Sequence, residues 1–211
     1  MGCDIHIFAE TKNKTGEWMP VTEPVFASTL GDSMTARLYD GRNYQLFSIL
    51  ADVRNGIGFG GCDTGDRLNP ISDPKGLPED VSKEVAEKSD SWGEDGHSHS
   101  FFMLKELLDY DWDQESKLRG FVSFDQYRYY KKHGKPISYC GNISGNNVKI
   151  ITNEQMEEAV QNGVSRDDLY TKVEWGETYK ECVGYFYSHT IPALKKLGGP
   201  DEVRIVFWFD N

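Results

Sequence analysis

The sequence predicts an α+β fold: a single domain over residues 1–211, with a mixed β-sheet that contains both the N-terminal and the C-terminal strands and helices packed around it. Three observations predict it. Near the start, Cys3, Ile5, Ile7 and Ala9 alternate with Asp4, His6, Phe8 and Glu10, the period of a strand with core on one face and chemistry on the other. At the other end, Val203-Arg-Ile-Val-Phe-Trp-Phe209 is a nearly unbroken apolar run, which suits a strand buried on both faces. Between them, several stretches carry apolar residues at helical spacing. Terminal strands of this kind commonly neighbour each other in one sheet, and that pairing brings Asp210 toward Asp4 and His6.

After the first strand, residues 12–16 read as a polar turn and 17–21 as the return strand of a hairpin. Residues 22–42 show no period. Leu46, Phe47, Ile49, Leu50 and Val53 then fall on one helical face, with Asn43 as N-cap and Asn55-Gly56 as the stop. Residues 56–78 are rich in glycine and proline and longer than a connector needs. They lack both a dinucleotide fingerprint and the Lys-Ser or Lys-Thr of a phosphate loop, so they read as a candidate lid. Leu77-Pro78-Glu79-Asp80 opens a polar helix reaching Lys88, and Phe101, Leu104, Leu107 and Leu108 form the buried stripe of the next. Ser123 caps a helix ended by Gly134. Residues 137–140 and 148–151 read as short strands, and Thr152 with Gln155 makes a capping box for a helix ending at Asn162-Gly163. The last helix starts near Thr178, with Tyr179, Cys182, Val183, Phe186 and Tyr187 on its stripe and Pro192 as a kink.

A chain of 211 residues is long enough for one well-buried core. Asp and Glu number 34 against 23 Lys and Arg, a formal charge of −11, which disfavours sequence-independent binding to duplex nucleic acid or to an anionic membrane. Cys3, Cys62, Cys140 and Cys182 form no Cys-x-x-Cys pair, so their spacing offers neither a zinc knuckle nor a redox motif. No apolar run has membrane-spanning length and no signal peptide opens the chain; the reading is a cytoplasmic protein with reduced thiols. His6 stands where a myristoylation signal wants Ser or Thr, so Gly2 is not read as a lipid anchor.

Two motifs carry chemistry. Asp4 and His6 point the same way from one strand, which holds such side chains rigidly. Asp95-Gly-His-Ser-His-Ser100 places His97 and His99 in extended backbone at a helix entrance, where both imidazoles can reach one cation and where imidazolium is disfavoured. Asp4, His6, His97, His99 and Asp210 therefore make a candidate ligand set for a divalent metal ion, Zn, Mn or Fe, with open positions for water and substrate. Asp95, outside that set, is the candidate catalytic base. Arg42 and Arg54 flank the first helix and are candidates for holding a substrate phosphate. For each motif a plainer reading stays open: a hydrogen-bonded Asp-His pair at a strand end, surface histidines beside a Ser98 or Ser100 cap, and two ordinary arginines.

Met1-Gly-Cys-Asp-Ile-His6, Arg42-Asn-Tyr44 with Leu46-Phe47, Val53-Arg-Asn55, Gly76-Leu-Pro-Glu-Asp-Val-Ser82, Asp95-Gly-His-Ser-His-Ser100 and Arg204-Ile-Val-Phe-Trp-Phe-Asp-Asn211 together resemble an uncharacterised family of bacteriophage and prophage proteins. The likeness covers both ends and the first half of the chain; residues 110–180 are only loosely similar. It implies a phage-encoded protein working in the bacterial host cytoplasm, a setting rich in enzymes of nucleotide metabolism and in counter-defence factors. Two functions follow as expectations. One is a metal-dependent hydrolase of a phosphoester or nucleotide. The other is a non-catalytic counter-defence protein that binds a small nucleotide signal or a host protein. For the second, Tyr127-Arg-Tyr-Tyr130 and Tyr185-Phe-Tyr187 offer stacking surfaces, although aromatic residues at helical spacing equally suit a core.

Overall fold

The computed structural model describes residues 2–21, 38–39, 41–163 and 166–211. In chain order the strands are β1 (Asp4–Lys12), β2 (Trp18–Pro20), β3 (His97–Met103), β4 (Glu115–Ser123), β5 (Lys149–Ile150), β6 (Leu169–Thr178) and β7 (Val203–Asp210). The helices are α1 (Tyr44–Ala51), α2 (Lys83–Asp90), α3 (Leu104–Asp109), α4 (Phe124–His133), α5 (Asn153–Gln161), α6 (Tyr179–Val183) and α7 (Ile191–Leu194). The fold class is α+β, with both terminal strands in one sheet. The chain gathers into two compact units: Met1–Asn55 with Leu68–Asp113 and Tyr179–Asn211, and Gly56–Arg67 with Gln114–Thr178. Most of the stretch expected to be irregular, residues 22–37 and 40, lies outside the described residues.

The first unit is built on a four-stranded sheet of order β2-β1-β7-β3. Its pairings are all antiparallel, and the parallel pair among the described strands, β5 with β6, lies in the other sheet. β7 sits inside the sheet because a strand that is apolar on both sides needs cover on both faces; Val203 to Phe209 are all buried. Val203, Ile205, Phe207 and Phe209 join Cys3, Ile5, Ile7 and Ala9 and the apolar sides of α1, α6 and α7 in the main core. Val206 and Trp208 face the other way, against Phe8 and Val85 of α2.

Local chemistry explains where the helices begin and end. Asn43 caps α1 by accepting from the Leu46 N–H at 3.0 Å, and the helix stops early, at Asp52, whose φ of 56° is left-handed. The expected stripe through Phe101 is a strand instead: the edge of β7 takes it up, pairing Phe101 with Val206 and Phe102 with Ile205, and α3 starts only at Leu104. Pro78 opens no helix either. Asp80 is drawn to Arg204 (2.6 Å) and to the Trp18 indole N–H (3.0 Å), while the Ser82 N–H donates to Glu10 at 2.8 Å, so α2 begins after that network, at Lys83. Near the C-terminus, Pro192 stands in the first turn of α7 without kinking a longer helix. The break lies at Gly184, φ 42°, before a π-helical turn over Phe186–Thr190.

The second unit pairs β4 with β6 along the whole of β4, and β6 with the short β5. Leu118 and Val122 of β4, Leu169, Val173 and Trp175 of β6, and Phe124, Tyr127 and Met156 from α4 and α5 are buried. The glycine-rich residues 56–67 run beside β4, where the Asp66 N–H donates to Lys117 O at 2.8 Å and the Arg119 N–H to Thr64 O at 3.1 Å. Arg119 also holds Asp63 and Asp66. Among the described residues no helix is long and apolar enough to cross a membrane.

Candidate functional site

Strand register decides what meets at the end of the first unit's sheet. Asp4 stands opposite Asp210, His6 opposite Trp208, and His97 opposite Phe209. Asp4 is gripped by Arg42 in a two-pronged contact, Nε to Oδ1 at 2.8 Å and Nη2 to Oδ2 at 2.5 Å, with both side chains about half exposed. Those hydrogen bonds hold the Asp4 carboxyl below the usual carboxylate range. Asp210 accepts the Asp4 N–H at 3.1 Å through one oxygen and lies 3.3 Å from His6 Nε2 through the other. The His6 ring packs on Trp92, with centroids 4.2 Å apart.

His97 and His99 part company. A bulge lies between His97 and Ser100, and Ser98 carries the left-handed φ of 51° that makes it. The extra residue sends imidazoles two positions apart toward opposite faces: His97 stacks on Phe209 (6.0 Å) and His99 on Trp208 (5.8 Å), which are consecutive-face neighbours in β7. Trp208 also stacks with His6 at 5.8 Å, so His6 and His99 flank one indole from strands two spacings apart, roughly 10 Å. Among the described residues, no three His, Cys, Asp or Glu side chains form a group able to hold a metal ion. The sheet end therefore gathers Asp4, His6, His97, His99 and Asp210 without focusing three of them on a point. Asp95 is exposed in the short turn Gly93–Asp95, and no hydrogen bond or ion pair joins its carboxylate to the others.

A second grouping surrounds Arg54. This residue has a left-handed φ of 57°, and its guanidinium lies 5.8 Å from the centre of the Tyr44 ring. Arg54 acts electrostatically on Cys3, a fully buried thiol that burial pushes up and Arg54 pulls back. Burial pushes the His97 imidazole down, with Asp210 opposing and Arg54 reinforcing. His99 is pushed down by burial first and by His97 second. Among the described residues, the buried hydrogen-bonding atoms Tyr44 Oη and His97 Nε2 have no partner. The other ring nitrogen of His97 lies 3.1 Å from Ser98 Oγ. Leaving such an atom unpaired costs roughly 1–3 kcal/mol, so each marks a place where the fold forgoes stability.

Reading residue types along the sequence found the acids, histidines and arginines of this region but not Cys3, Tyr44, Trp92 or Trp208. Cys3 and Trp208 carried a signal, since both belong to the terminal strand patterns, and Tyr44 stands in the Arg42-Asn-Tyr44 stretch of the resemblance; the residue type of Trp92 offers nothing that places it at the site. Comparison with protein-family models, with curated proteins and with solved structures finds no match.

Proposed function

We propose that the first unit binds a small nucleotide or other phosphoester at this sheet end, with Arg42 and Arg54 as its anion-binding residues. The observation that carries the proposal is that, among the described residues, the buried atoms Tyr44 Oη and His97 Nε2 have no hydrogen-bond partner, with the Tyr44 ring 5.8 Å from the Arg54 guanidinium. A phosphate oxygen accepts hydrogen bonds from all three kinds of group, and a guanidinium fork matches its geometry. Arg42 already holds a carboxylate in that fork, so taking a phosphate there exchanges one oxyanion for another. The likeness to phage proteins gives the binding a role, the capture of a nucleotide signal in the host cytoplasm.

Thermal shift and titration calorimetry against a panel of nucleotides test this. A ligand that binds the native state raises the melting temperature, and Arg54→Ala should remove that rise, measured from the variant's own unliganded melting temperature. A chain indifferent to every nucleotide would end the proposal. Metal-dependent hydrolysis at the same place requires Asp4 to leave Arg42 and a histidine to cross Trp208. Its test is metal analysis of untagged protein: near-stoichiometric Zn, Mn or Fe, lost in His6→Ala and His97→Ala, would establish it.

A further inference from the structure

We infer that Asn162 is a site of spontaneous modification, at which the side-chain amide is lost to the peptide nitrogen that follows it, and that the fold withholds the same reaction from Asn55. The chain holds two Asn-Gly pairs, Asn55-Gly56 and Asn162-Gly163. Glycine places no side chain beside its own nitrogen, so in such a pair that nitrogen can close on the asparagine Cγ. Hydroxide takes the glycine N–H proton, the nitrogen bonds to Cγ, and the side-chain nitrogen leaves as ammonia with a proton from water. A second water then opens the cyclic imide at one carbonyl or the other, which leaves aspartate or isoaspartate. Nothing is oxidised or reduced.

The two asparagines stand in opposite surroundings. Asn55 is buried, and three hydrogen bonds hold its side chain: its amide nitrogen donates to Asp52 Oδ1 at 2.5 Å and to Leu68 O at 2.8 Å, and its oxygen accepts the Leu68 N–H at 2.7 Å. It cannot turn toward the Gly56 nitrogen without giving up that set. Asn162 is exposed at the C-terminal end of α5, and among the described residues its side chain makes no hydrogen bond. Gly163 has a left-handed φ of 68°, and a Cβ built there would meet nothing within 4 Å, so the place is open to water. One backbone bond, from the Gly163 N–H to Val160 O at 3.1 Å, holds the nitrogen that must attack. Helix ends open at little cost, and opening this one frees both reacting groups. The product puts a carboxylate at a helix C-terminus, where the dipole disfavours negative charge, and isoaspartate adds a methylene to the main chain between α5 and β6.

The experiment is peptide mapping by mass spectrometry of the full chain aged in mildly alkaline buffer, native in one arm and unfolded in concentrated urea in the other. Tryptic peptides 55–67 and 150–166 report the two sites, with fragmentation to place the change and to tell isoaspartate from aspartate. In the native arm Asn162 should convert about tenfold or more faster than Asn55, since a buried, tethered side chain needs a costlier opening than a helix end. In urea the two rates should draw together, which assigns the difference to the fold. Asn162→Gln, whose longer side chain closes the ring far more slowly, should abolish conversion at 162 and leave the Asn55 rate unchanged. Equal rates at the two sites in the native chain overturn the inference. An Asn162 that stays intact in the native arm while the unfolded arm converts overturns it as well, because the end of α5 would then protect its asparagine as the fold protects Asn55.

Discussion

β1 and β7 lie side by side from Thr11 opposite Val203 to Asp4 opposite Asp210, and their two ends are finished in contrasting ways. At the first end, Glu10 and Arg204 are both buried and fully engaged. Glu10 accepts from Arg204 Nε at 2.7 Å and from the Ser82 N–H at 2.8 Å; Arg204 gives its other nitrogens to the side chain and backbone of Asp80 and lies 4.0 Å from the Trp18 ring. At the second end, Asp4 and Arg42 stand half in solvent, and Tyr44 Oη and His97 Nε2 are buried without partners among the described residues. One pair of strands thus carries a polar cluster that locks the sheet and another that leaves hydrogen-bonding capacity unspent. On the binding proposed above, the difference separates residues that hold the fold from residues that would meet a ligand.

The largest expected effect breaks the locked end. Arg204→Ala strands the Glu10 carboxylate where no water reaches it, and removal of one partner of a buried pair costs about 3–5 kcal/mol. Urea denaturation of Arg204→Ala beside Arg54→Ala is the direct comparison. If the Arg54 variant loses as much stability as the Arg204 variant, the two ends do not differ in kind. A smaller effect of opposite sign belongs to the other end. Tyr44→Phe deletes a buried hydroxyl that has no partner, so it should leave stability unchanged or raise it by about 1 kcal/mol, the low end of the cost of an unpaired group. A clear loss of stability would show that the hydroxyl is already satisfied and would weaken the binding proposal.

How legible this contrast is in the sequence depends on whether a feature is local. The terminal strands were readable because alternation in residues 3–10 and the apolar run 203–209 are properties of the chain itself. The caps at Asn43, Ser123 and Thr152 were readable for the same reason, each being one side chain and one N–H three residues on. The sequence alone does not mark β6 although Leu169, Thr171, Val173 and Trp175 alternate with Tyr170, Lys172 and Glu174, because a polar Thr171 on the buried side and an aromatic Tyr170 on the other blur the contrast between the two faces. The strand through Phe101 was read as helix because Phe101, Leu104, Leu107 and Leu108 fit a helical stripe equally well; only the edge of β7, distant in sequence, decides for the strand. The site follows the same rule. Its acids, histidines and arginines were visible as residue types. The bulge at Ser98 that turns His97 and His99 apart, the grip of Arg42 on Asp4 and the unpaired Tyr44 hydroxyl all depend on contacts across the fold.

The pH dependence of stability sharpens the comparison further. Burial, the first cause for each, holds His97 and His99 below the ordinary histidine value of 6.5. As pH falls, the unfolded chain takes up protons at these positions before the folded one does. Their contribution is therefore fully present above about 6.5 and is lost as pH falls from there through the folded values. The urea midpoint should decline over that window, and it should decline less in His97→Asn and His99→Asn. A midpoint independent of pH between neutrality and the carboxylate range would mean that both imidazoles are solvated in the folded state.

The smallest effect on stability is expected from Arg42→Ala, and it is informative for that reason. Arg42 and Asp4 make a geometrically complete ion pair, but both side chains are about half exposed, and an exposed pair contributes little after solvent screening and side-chain ordering. At neutral pH the urea midpoint should scarcely move. What should move is Asp4: Arg42 hydrogen bonds are the first cause of its lowered carboxyl, so the variant should return it toward the ordinary value of 3.8, seen as a shifted carboxyl titration by NMR. A depressed folded value stabilises above the unfolded one and is lost as pH falls through the folded value, so whatever small difference separates wild type from variant at neutral pH should close in acid. A substantial midpoint shift at neutral pH would make Arg42 a structural clamp like Arg204, and the contrast between the two ends of the strand pair would fail.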